Sequence, residues 1–140
     1  MAVKRRIVVV GLGSIGKRHA RLWKEREEFA VEGVEPDKKI MSAAKKEIGN
    51  IPLHSDFERM LKTQPEIVLI ATPHGLHAGQ TIQALKAGCH VFCEKPMSNH
   101  LADAQKMKAA ADRSKKILNI GFHFHFHPAL QKLKSLIAKG

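Results

Sequence analysis

Long apolar runs and paired cysteines are both scarce in this sequence, and each scarcity excludes a class of protein. No stretch approaches the roughly 18 consecutive apolar residues that a membrane-spanning helix needs, so we expect no membrane partner. The two cysteines, Cys89 and Cys93, are spaced C-x-x-x-C, which matches neither a zinc knuckle nor a redox C-x-x-C pair. We therefore expect two reduced, buried thiols.

The N-terminus has basic residues before an apolar run, as a signal peptide does. The run from Ile7 to Leu12 is too short for that purpose, is interrupted by Gly11 and lacks a small-residue cleavage site. We therefore predict a cytoplasmic protein.

Acidic residues are few beside the basic ones, with 13 Asp and Glu against 24 Lys and Arg and a formal net charge of +11. That balance permits an anionic partner such as a nucleotide, a nucleic acid or an acidic sugar. The basic side chains are scattered over predicted helix faces, without a basic block or an aromatic platform. The pattern therefore favours a solvated basic surface over nucleic-acid binding.

Linkers, internal repeats and low-complexity segments are also absent, which predicts one domain over residues 1–140. Short β-branched runs alternate with amphipathic stretches, the pattern of repeated βαβ units around a parallel sheet. The predicted strands are residues 6–10, 29–35, 51–53, 66–71, 90–93 and 116–122. The predicted helices are residues 15–27, 36–48, a brief one capped by Ser55 and ending near Leu61, 77–87, one capped by Ser98 or Asn99, and one from Pro128. We predict a doubly wound α/β fold of about six parallel strands flanked by helices.

Three glycines follow the first predicted strand in the stretch "VVVGLGSIGKRHA", with the spacing G-x-G-x-x-G. Gly11 permits a tight turn, Gly13 lets the backbone approach a pyrophosphate, and Gly16 lets the helix pack closely on the strand. Free amides at the helix N-terminus can then bind phosphates. Because the motif lies inside a βαβ unit, it predicts dinucleotide binding.

An acid, Glu35, ends the second predicted strand, where such folds hold the adenosine ribose. A carboxylate there can accept both ribose hydroxyls of NAD and would repel the 2′-phosphate of NADP. Lys38 and Lys39 lie nearby and weaken that argument. NAD is therefore the favoured cofactor, and NADP stays the alternative.

Three more stretches follow predicted strands: "ATPHGLH" (71–77), "CEKP" (93–96) and "GFHFHFHP" (121–128). Together with G-L-G-S-I-G they resemble the Gfo/Idh/MocA family of glucose-fructose oxidoreductase and inositol dehydrogenase. The first domain of that family is a Rossmann fold with an A-T-P-x-x-x-H loop and an E-K-P motif. The resemblance covers nearly the whole chain. It implies hydride transfer between a nicotinamide cofactor and a sugar, a polyol or a related carbonyl compound.

The resemblance also implies roles for individual residues. Those that would hold the phosphates and the adenosine are Gly11, Gly13, Ser14, Ile15, Gly16 and Glu35. Those beside the nicotinamide end would be Thr72, Pro73 and His77. Glu94 and Lys95 would reach the nicotinamide ribose and the substrate hydroxyl, where Lys95 is the expected catalytic residue, exchanging a proton with that hydroxyl. In this family the bond between Lys95 and Pro96 is often cis.

The run H-F-H-F-H departs from the family, which commonly has an Asn-Arg-Arg-Phe-like run there, so that His125 fills the usual arginine position. If the run were a strand, alternation would place His123, His125 and His127 on one face. Three imidazoles in a row could bind zinc. No Asp, Glu or Cys lies nearby to complete such a site, so we favour His123 and His125 as residues of the substrate cleft and predict no metal.

Members of the family continue into a second α/β domain that supplies the substrate pocket and usually a catalytic histidine. We expect that domain to be absent from these 140 residues, so that the chain binds the cofactor but catalyses poorly by itself. A cofactor-binding module without chemistry of its own therefore stays open. The apolar face of the last predicted helix, with Leu130, Leu133 and Ile137, predicts self-association or a partner domain.

Overall fold

A computed structural model describes residues 3–139, which build one six-stranded parallel sheet with helices against its faces. The strand order is β3-β2-β1-β4-β5-β6, and every neighbouring pair is parallel. The strands are Arg5–Val10 (β1), Phe29–Val34 (β2), Leu53–His54 (β3), Ile67–Ile70 (β4), His90–Cys93 (β5) and Leu118–Ile120 (β6). The predicted doubly wound α/β fold is confirmed.

Helices connect the strands and continue the chain after β6. They are Ser14–Lys24 (α1), Lys38–Ile48 (α2), Phe57–Leu61 (α3), His74–Lys86 (α4), Leu101–Ser114 (α5) and Pro128–Ile137 (α6), with a short 3₁₀ helix at His123–Phe126. None of the helices within residues 3–139 combines the length and the apolar character that a membrane crossing needs.

Strand β1 lies at the centre of the sheet, and its two faces enter two separate apolar clusters. Val8 and Val10 pack with residues of β4, α4 and α5, whereas Ile7 and Val9 pack with residues of α1 and α2. All four side chains are at most 2% exposed. This two-sided burial explains why the strand is a continuous apolar run rather than an alternating one.

The N-terminal caps of two helices differ from the sequence prediction. Helix α3 is capped by Asp56, whose carboxylate accepts the Arg59 amide at 2.9 Å, so the predicted cap at Ser55 is wrong by one residue. The N-cap of helix α5 is His100, so the predicted caps at Ser98 and Asn99 are also wrong. Among the described residues, no side chain caps this helix with a hydrogen bond. The Ser98 hydroxyl instead accepts the His100 amide at 3.1 Å, which makes a turn before the helix.

The last strand is shorter than predicted, and the histidine run is not a strand. Ile120 pairs with Cys93, the last residue of β5, and the Gly121 amide makes the final bond to the Cys93 carbonyl at 2.8 Å. The chain after Cys93 turns away, so no neighbouring strand is left to pair with the residues that follow Gly121. They form a 3₁₀ helix with about three residues per turn, so the strand alternation that would have placed the three histidines on one face is not present.

The two cysteines are free and buried, as predicted. Burial raises the pKa of both thiols, to about 11 for Cys93, where the charge of Glu94 raises it further. Both thiols are therefore protonated at neutral pH and have little nucleophilic character.

Candidate active site

The turn between β1 and α1 uses its three glycines in three different ways. Gly11 has a positive φ of 84°, and a Cβ there would lie 2.8 Å from the Thr72 Cγ2 atom. A Cβ on Gly16 would lie 1.8 Å from the Gly11 carbonyl oxygen, so only glycine lets α1 pack on the turn. A Cβ on Gly13 would meet nothing within 4 Å. The backbone at Gly13 therefore borders open space that a ligand can enter.

The N-terminus of α1 opens onto that same space. Gly13 is its N-cap, no side chain among the described residues caps it, and its first turn carries no acid. The first amides of a helix lack intrahelical acceptors and carry the positive end of the helix dipole. This end of α1 is therefore suited to the phosphates of a dinucleotide.

Glu35 lies directly after β2, on the other side of the glycine turn, and is only 6% exposed. Its Oε2 accepts the Leu12 amide at 2.9 Å, and its Oε1 accepts the Asp37 amide at 3.0 Å. The two main-chain bonds hold the carboxylate in place, and each oxygen keeps a further lone pair. Glu35 is thus a fixed acceptor at the rim of the cleft.

A cleft of about 1180 Å³ runs along the carboxyl ends of β1, β2 and β4. Its walls contain seven residues that the sequence analysis assigned to the cofactor: Gly11, Gly13, Ser14, Ile15, Glu35, Thr72 and Pro73. It exceeds the roughly 300–1,000 Å³ of pockets for drug-sized ligands. The structure therefore gathers these residues, which come from three separate parts of the sequence, around one large cavity.

The cleft also has an apolar wall that the sequence analysis missed. Ile15, Ile40 and Leu76 are 48%, 39% and 50% exposed, and all three line the cleft. Gln80 and Gln83 continue this wall along α4, where the spacing of Leu76, Gln80 and Gln83 places them on one helix face. The sequence analysis missed this face because it started α4 at residue 77, whereas the helix begins three residues earlier, at His74.

His77 lies behind the cleft rather than on its surface. The ring is 0% exposed, with Nδ1 2.8 Å from the Pro96 carbonyl oxygen and Nε2 2.9 Å from the Thr72 carbonyl oxygen. Both partners are acceptors, so a neutral imidazole donates to one of them and an imidazolium donates to both. His77 therefore joins the loop after β4 to the turn after β5.

The turn after β5 contains the acid, the base and the proline of the E-K-P motif. The peptide bond between Lys95 and Pro96 is cis. Glu94 is partly buried and Lys95 is exposed, and neither lines the large cleft. The lysine side chain is therefore accessible at the carboxyl edge of the sheet, one strand away from the cleft at β4.

Glu94 has a partner that the sequence analysis did not foresee. His19, on α1, lies with its Nε2 2.7 Å from the Glu94 Oε1, and its ring packs edge-on against Phe92 at 5.7 Å between centroids. The sequence analysis gave this histidine no role in the site. The available signal was an imidazole on the inner face of a helix, three residues after Gly16.

His123 and His125 are exposed on the 3₁₀ helix after β6. The His125 ring packs against Phe122 with 6.1 Å between centroids. Across residues 3–139, no group of three His, Cys, Asp or Glu side chains is arranged to hold a metal ion. The two histidines therefore lie on the segment after β6 as separate exposed side chains.

The strand order, the open space at Gly13 and the fixed carboxylate of Glu35 together define a dinucleotide-binding domain of the Rossmann type. The sequence profile of the Gfo/Idh/MocA proteins, described as an oxidoreductase family with an NAD-binding Rossmann fold, matches residues 5–122. The chain belongs to this oxidoreductase family and carries its NAD-binding domain.

Individual relatives agree with this assignment. A D-glucoside 3-dehydrogenase from Escherichia coli is 30% identical over 138 residues, covering 96% of this chain and 39% of the relative. A myo-inositol 2-dehydrogenase from Thermotoga maritima is 32% identical over 139 residues, covering 96% and 41%. The crystal structure of scyllo-inositol dehydrogenase from Lactobacillus casei, with bound NAD(H) and scyllo-inositol, superposes with a TM-score of 0.86 at 27% identity, covering 99% of this chain and 42% of that one. The chain thus spans about 40% of the length of the curated relatives it matches.

Proposed function

We propose that residues 1–140 form the dinucleotide-binding domain of a dehydrogenase that acts on a sugar, a polyol or a related carbonyl compound. The observation that carries the proposal is the open space at Gly13, which faces the uncapped N-terminus of α1. The substrate class is supported by the relatives, which are named for a glucoside and for inositols.

The residues proposed to hold NAD are the glycine turn with Ser14 and Ile15, the carboxylate of Glu35, and Thr72 and Pro73 after β4. His77 supports this set from behind by bonding the Thr72 carbonyl. NAD, when bound, supplies the carbon that accepts or returns a hydride.

Lys95 is the proposed catalytic residue. When neutral, its exposed amino group can accept the proton of a substrate hydroxyl as the carbon beside that hydroxyl loses hydride, and in the reverse direction its ammonium form can return that proton to the carbonyl oxygen. We propose His123 and His125 as residues of the substrate side, because they follow β6, which pairs with β5, and β5 ends two residues before Lys95.

The cofactor proposal is tested by titrating the 140-residue chain with NADH and NADPH by calorimetry. We expect NADH to bind more tightly, because the fixed carboxylate of Glu35 repels a 2′-phosphate. Gly13→Ala should abolish NADH binding while the unfolding temperature stays close to wild type, because the added methyl group enters the open space and meets no protein atom. Asn99→Ala, on an exposed turn away from the cleft, is the matched control. Unchanged NADH affinity in Gly13→Ala would contradict the proposal.

A second candidate function is a cofactor-binding module without chemistry of its own. For these 140 residues taken by themselves, it is supported by the position of Lys95, which is exposed and lies outside the lining of the large cleft. We expect the 140-residue chain to bind NADH and to oxidise inositols or glucosides poorly. Turnover comparable to that of a full-length dehydrogenase in the same assay would overturn this expectation.

We also propose that α6 packs on a partner domain or on a second copy of the chain in the cytoplasm. Its large apolar side chains are between 43% and 72% exposed: Leu130, Leu133, Leu136 and Ile137. Sedimentation at rising protein concentration should show self-association, and the double change Leu133→Gln with Ile137→Gln should remove it. Lys132→Gln, on the same helix, is the control. A monomer at every concentration would leave only the partner domain.

A further inference from the structure

We infer that His19 is a positioning residue that acts through Glu94 to fix the main chain of Lys95 relative to the glycine turn. The inference rests on the proposed function, since it deepens the role proposed for Lys95. It adds a residue of α1 to a site that the sequence analysis built from loops after strands.

The contacts form a short chain of hydrogen bonds. His19 Nε2 donates to Glu94 Oε1 at 2.7 Å, because a carboxylate can only accept. The other carboxylate oxygen, Oε2, accepts the Lys95 amide at 3.2 Å. A helix residue next to the cofactor turn is thereby connected, through one carboxylate, to the main chain of the proposed catalytic lysine.

The surroundings leave the Glu94 carboxylate little freedom to move. A Cβ on Gly121 would lie 3.2 Å from Oε2, so the start of the segment after β6 closes one side. Phe92 packs edge-on against the His19 ring and so limits its movement. The side chains of His19 and Glu94 are 21% and 18% exposed, so the pair is only partly hydrated.

A second imidazole holds the residue on the other side of Lys95. His77 lies within 2.8 Å of the Pro96 carbonyl and 2.9 Å of the Thr72 carbonyl. On one side of the lysine, Glu94 is hydrogen-bonded to His19 of α1. On the other side, Pro96 is connected through His77 to the loop after β4. Both connections end on segments that line the cofactor cleft. The same two segments therefore line the cleft and hold the main chain on either side of Lys95.

A plain structural ion pair is the alternative. Such a pair would affect the stability of the whole domain and would weaken every ligand equally, whereas a positioning residue affects only ligands that reach Lys95 and Glu94. ADP-ribose lacks the nicotinamide, so it separates the two cases: it reports on the glycine turn and Glu35, and NADH reports on the nicotinamide end as well.

The test uses calorimetric titration of the 140-residue chain with NADH and with ADP-ribose. We expect His19→Ala to weaken NADH binding about tenfold and ADP-ribose binding less than about twofold, the scale of one hydrogen bond to a charged group. His19→Gln keeps a donor of similar reach and should restore NADH binding to within about threefold of wild type. Adding His19→Ala to Glu94→Gln should cause no further loss, because His19 acts only through the Glu94 carboxylate. His100→Ala, at an exposed histidine, is the matched control.

Equal losses for NADH and ADP-ribose, or a His19→Gln variant as weak as His19→Ala, would overturn the inference in favour of ring packing alone. Amide NMR spectra give a readout that needs no ligand: His19→Ala should shift the Lys95 amide, and His100→Ala should not. An unshifted Lys95 amide would also overturn it. If the folded wild type binds neither ligand, the proposed function fails instead, and the Lys95 amide still decides the inference.

Discussion

Strand β1 and the segment after β6 are both rich in apolar residues, yet the structure treats them oppositely. From Ile7 to Val10, every side chain of β1 is at most 2% exposed. In the later segment, Phe124 is 62%, Leu133 is 52% and Ile137 is 72% exposed. Apolar composition therefore does not decide which of the two belongs to the core.

The difference lies in the number of neighbours that each segment finds. Strand β1 is bonded to β2 and β4 at its edges and is covered by helices on both faces. Helix α6 packs chiefly against the 3₁₀ helix before it. The first region forms a rigid support for the cofactor, and the second leaves an apolar surface free for the partner proposed above.

The largest effect on the free energy of unfolding should come from Gly16, where α1 packs closely on the turn after β1. Gly16→Ala places a methyl carbon 1.8 Å from the Gly11 carbonyl oxygen, and backbone must move to relieve it. We expect a loss of more than about 3 kcal/mol in the free energy of unfolding, measured by urea denaturation.

Gly79→Ala is the control for that substitution, because its Cβ would meet nothing within 4 Å and the residue lies inside α4. It should stabilise the protein by about 0.5–1 kcal/mol through the lower flexibility of the unfolded chain. Similar destabilisation by the two changes would contradict the packing argument.

A pair of leucine substitutions should separate the two regions directly. Leu85 is 0% exposed in α4, and Leu133 is half exposed in α6. We expect Leu85→Ala to lower the free energy of unfolding by about 2–3 kcal/mol, through lost burial and the cavity left behind. Leu133→Ala should change it by less than about 0.5 kcal/mol at protein concentrations where the chain is monomeric. Equal losses would mean that α6 is part of the cooperative core.

The smallest effect should be a change in the free energy of unfolding at acidic pH, caused by a carboxyl group on β2, the strand beside β1. Burial by itself raises the pKa of Glu32 on β2, but its hydrogen bonds with Arg6 and His54 outweigh that and keep the pKa below the ordinary value of 4.5. A carboxyl whose pKa is lower in the folded state stabilises the fold above about pH 4.5 and loses that contribution as the pH falls further.

Urea denaturation at pH 7 and at pH 3.5 measures this contribution. Glu32→Gln should be less stable than wild type at pH 7 and should lose less stability on acidification. Glu27→Gln, at an exposed acid, should behave like wild type. An unaltered pH dependence in Glu32→Gln would contradict the assignment.

Strands and glycines were predictable because their signals are local. Strands β1, β4 and β5 are short apolar runs bounded by polar residues, and each lies within one or two residues of its predicted bounds. Caps were less predictable, since Ser55 and Asp56 are both good capping residues and only the geometry of the preceding strand selects the second. The conformation of the histidine run could not be predicted, because alternation in sequence implies a strand only where a neighbouring strand remains to pair with it.

The candidate site divides in the same way. Seven residues could be assigned from motifs, and the structure gathers them around one cleft: Gly11, Gly13, Ser14, Ile15, Glu35, Thr72 and Pro73. His77 belongs to a motif as well, but its position behind the cleft wall could not be predicted. His19 was missed entirely, because its partner Glu94 is distant in sequence and no local pattern links the two.

The sequence by itself determined the parallel α/β order, the glycine turn and the acid after β2, because each depends on steric limits and periodicity within a few residues. The tertiary structure alone decided which polar groups meet. His19 reaches Glu94, and His77 reaches Pro96, because parallel strands bring their carboxyl ends to one edge of the sheet. It also decided that α6 stays exposed, because burial requires a facing surface and residues 3–139 leave this helix largely without one.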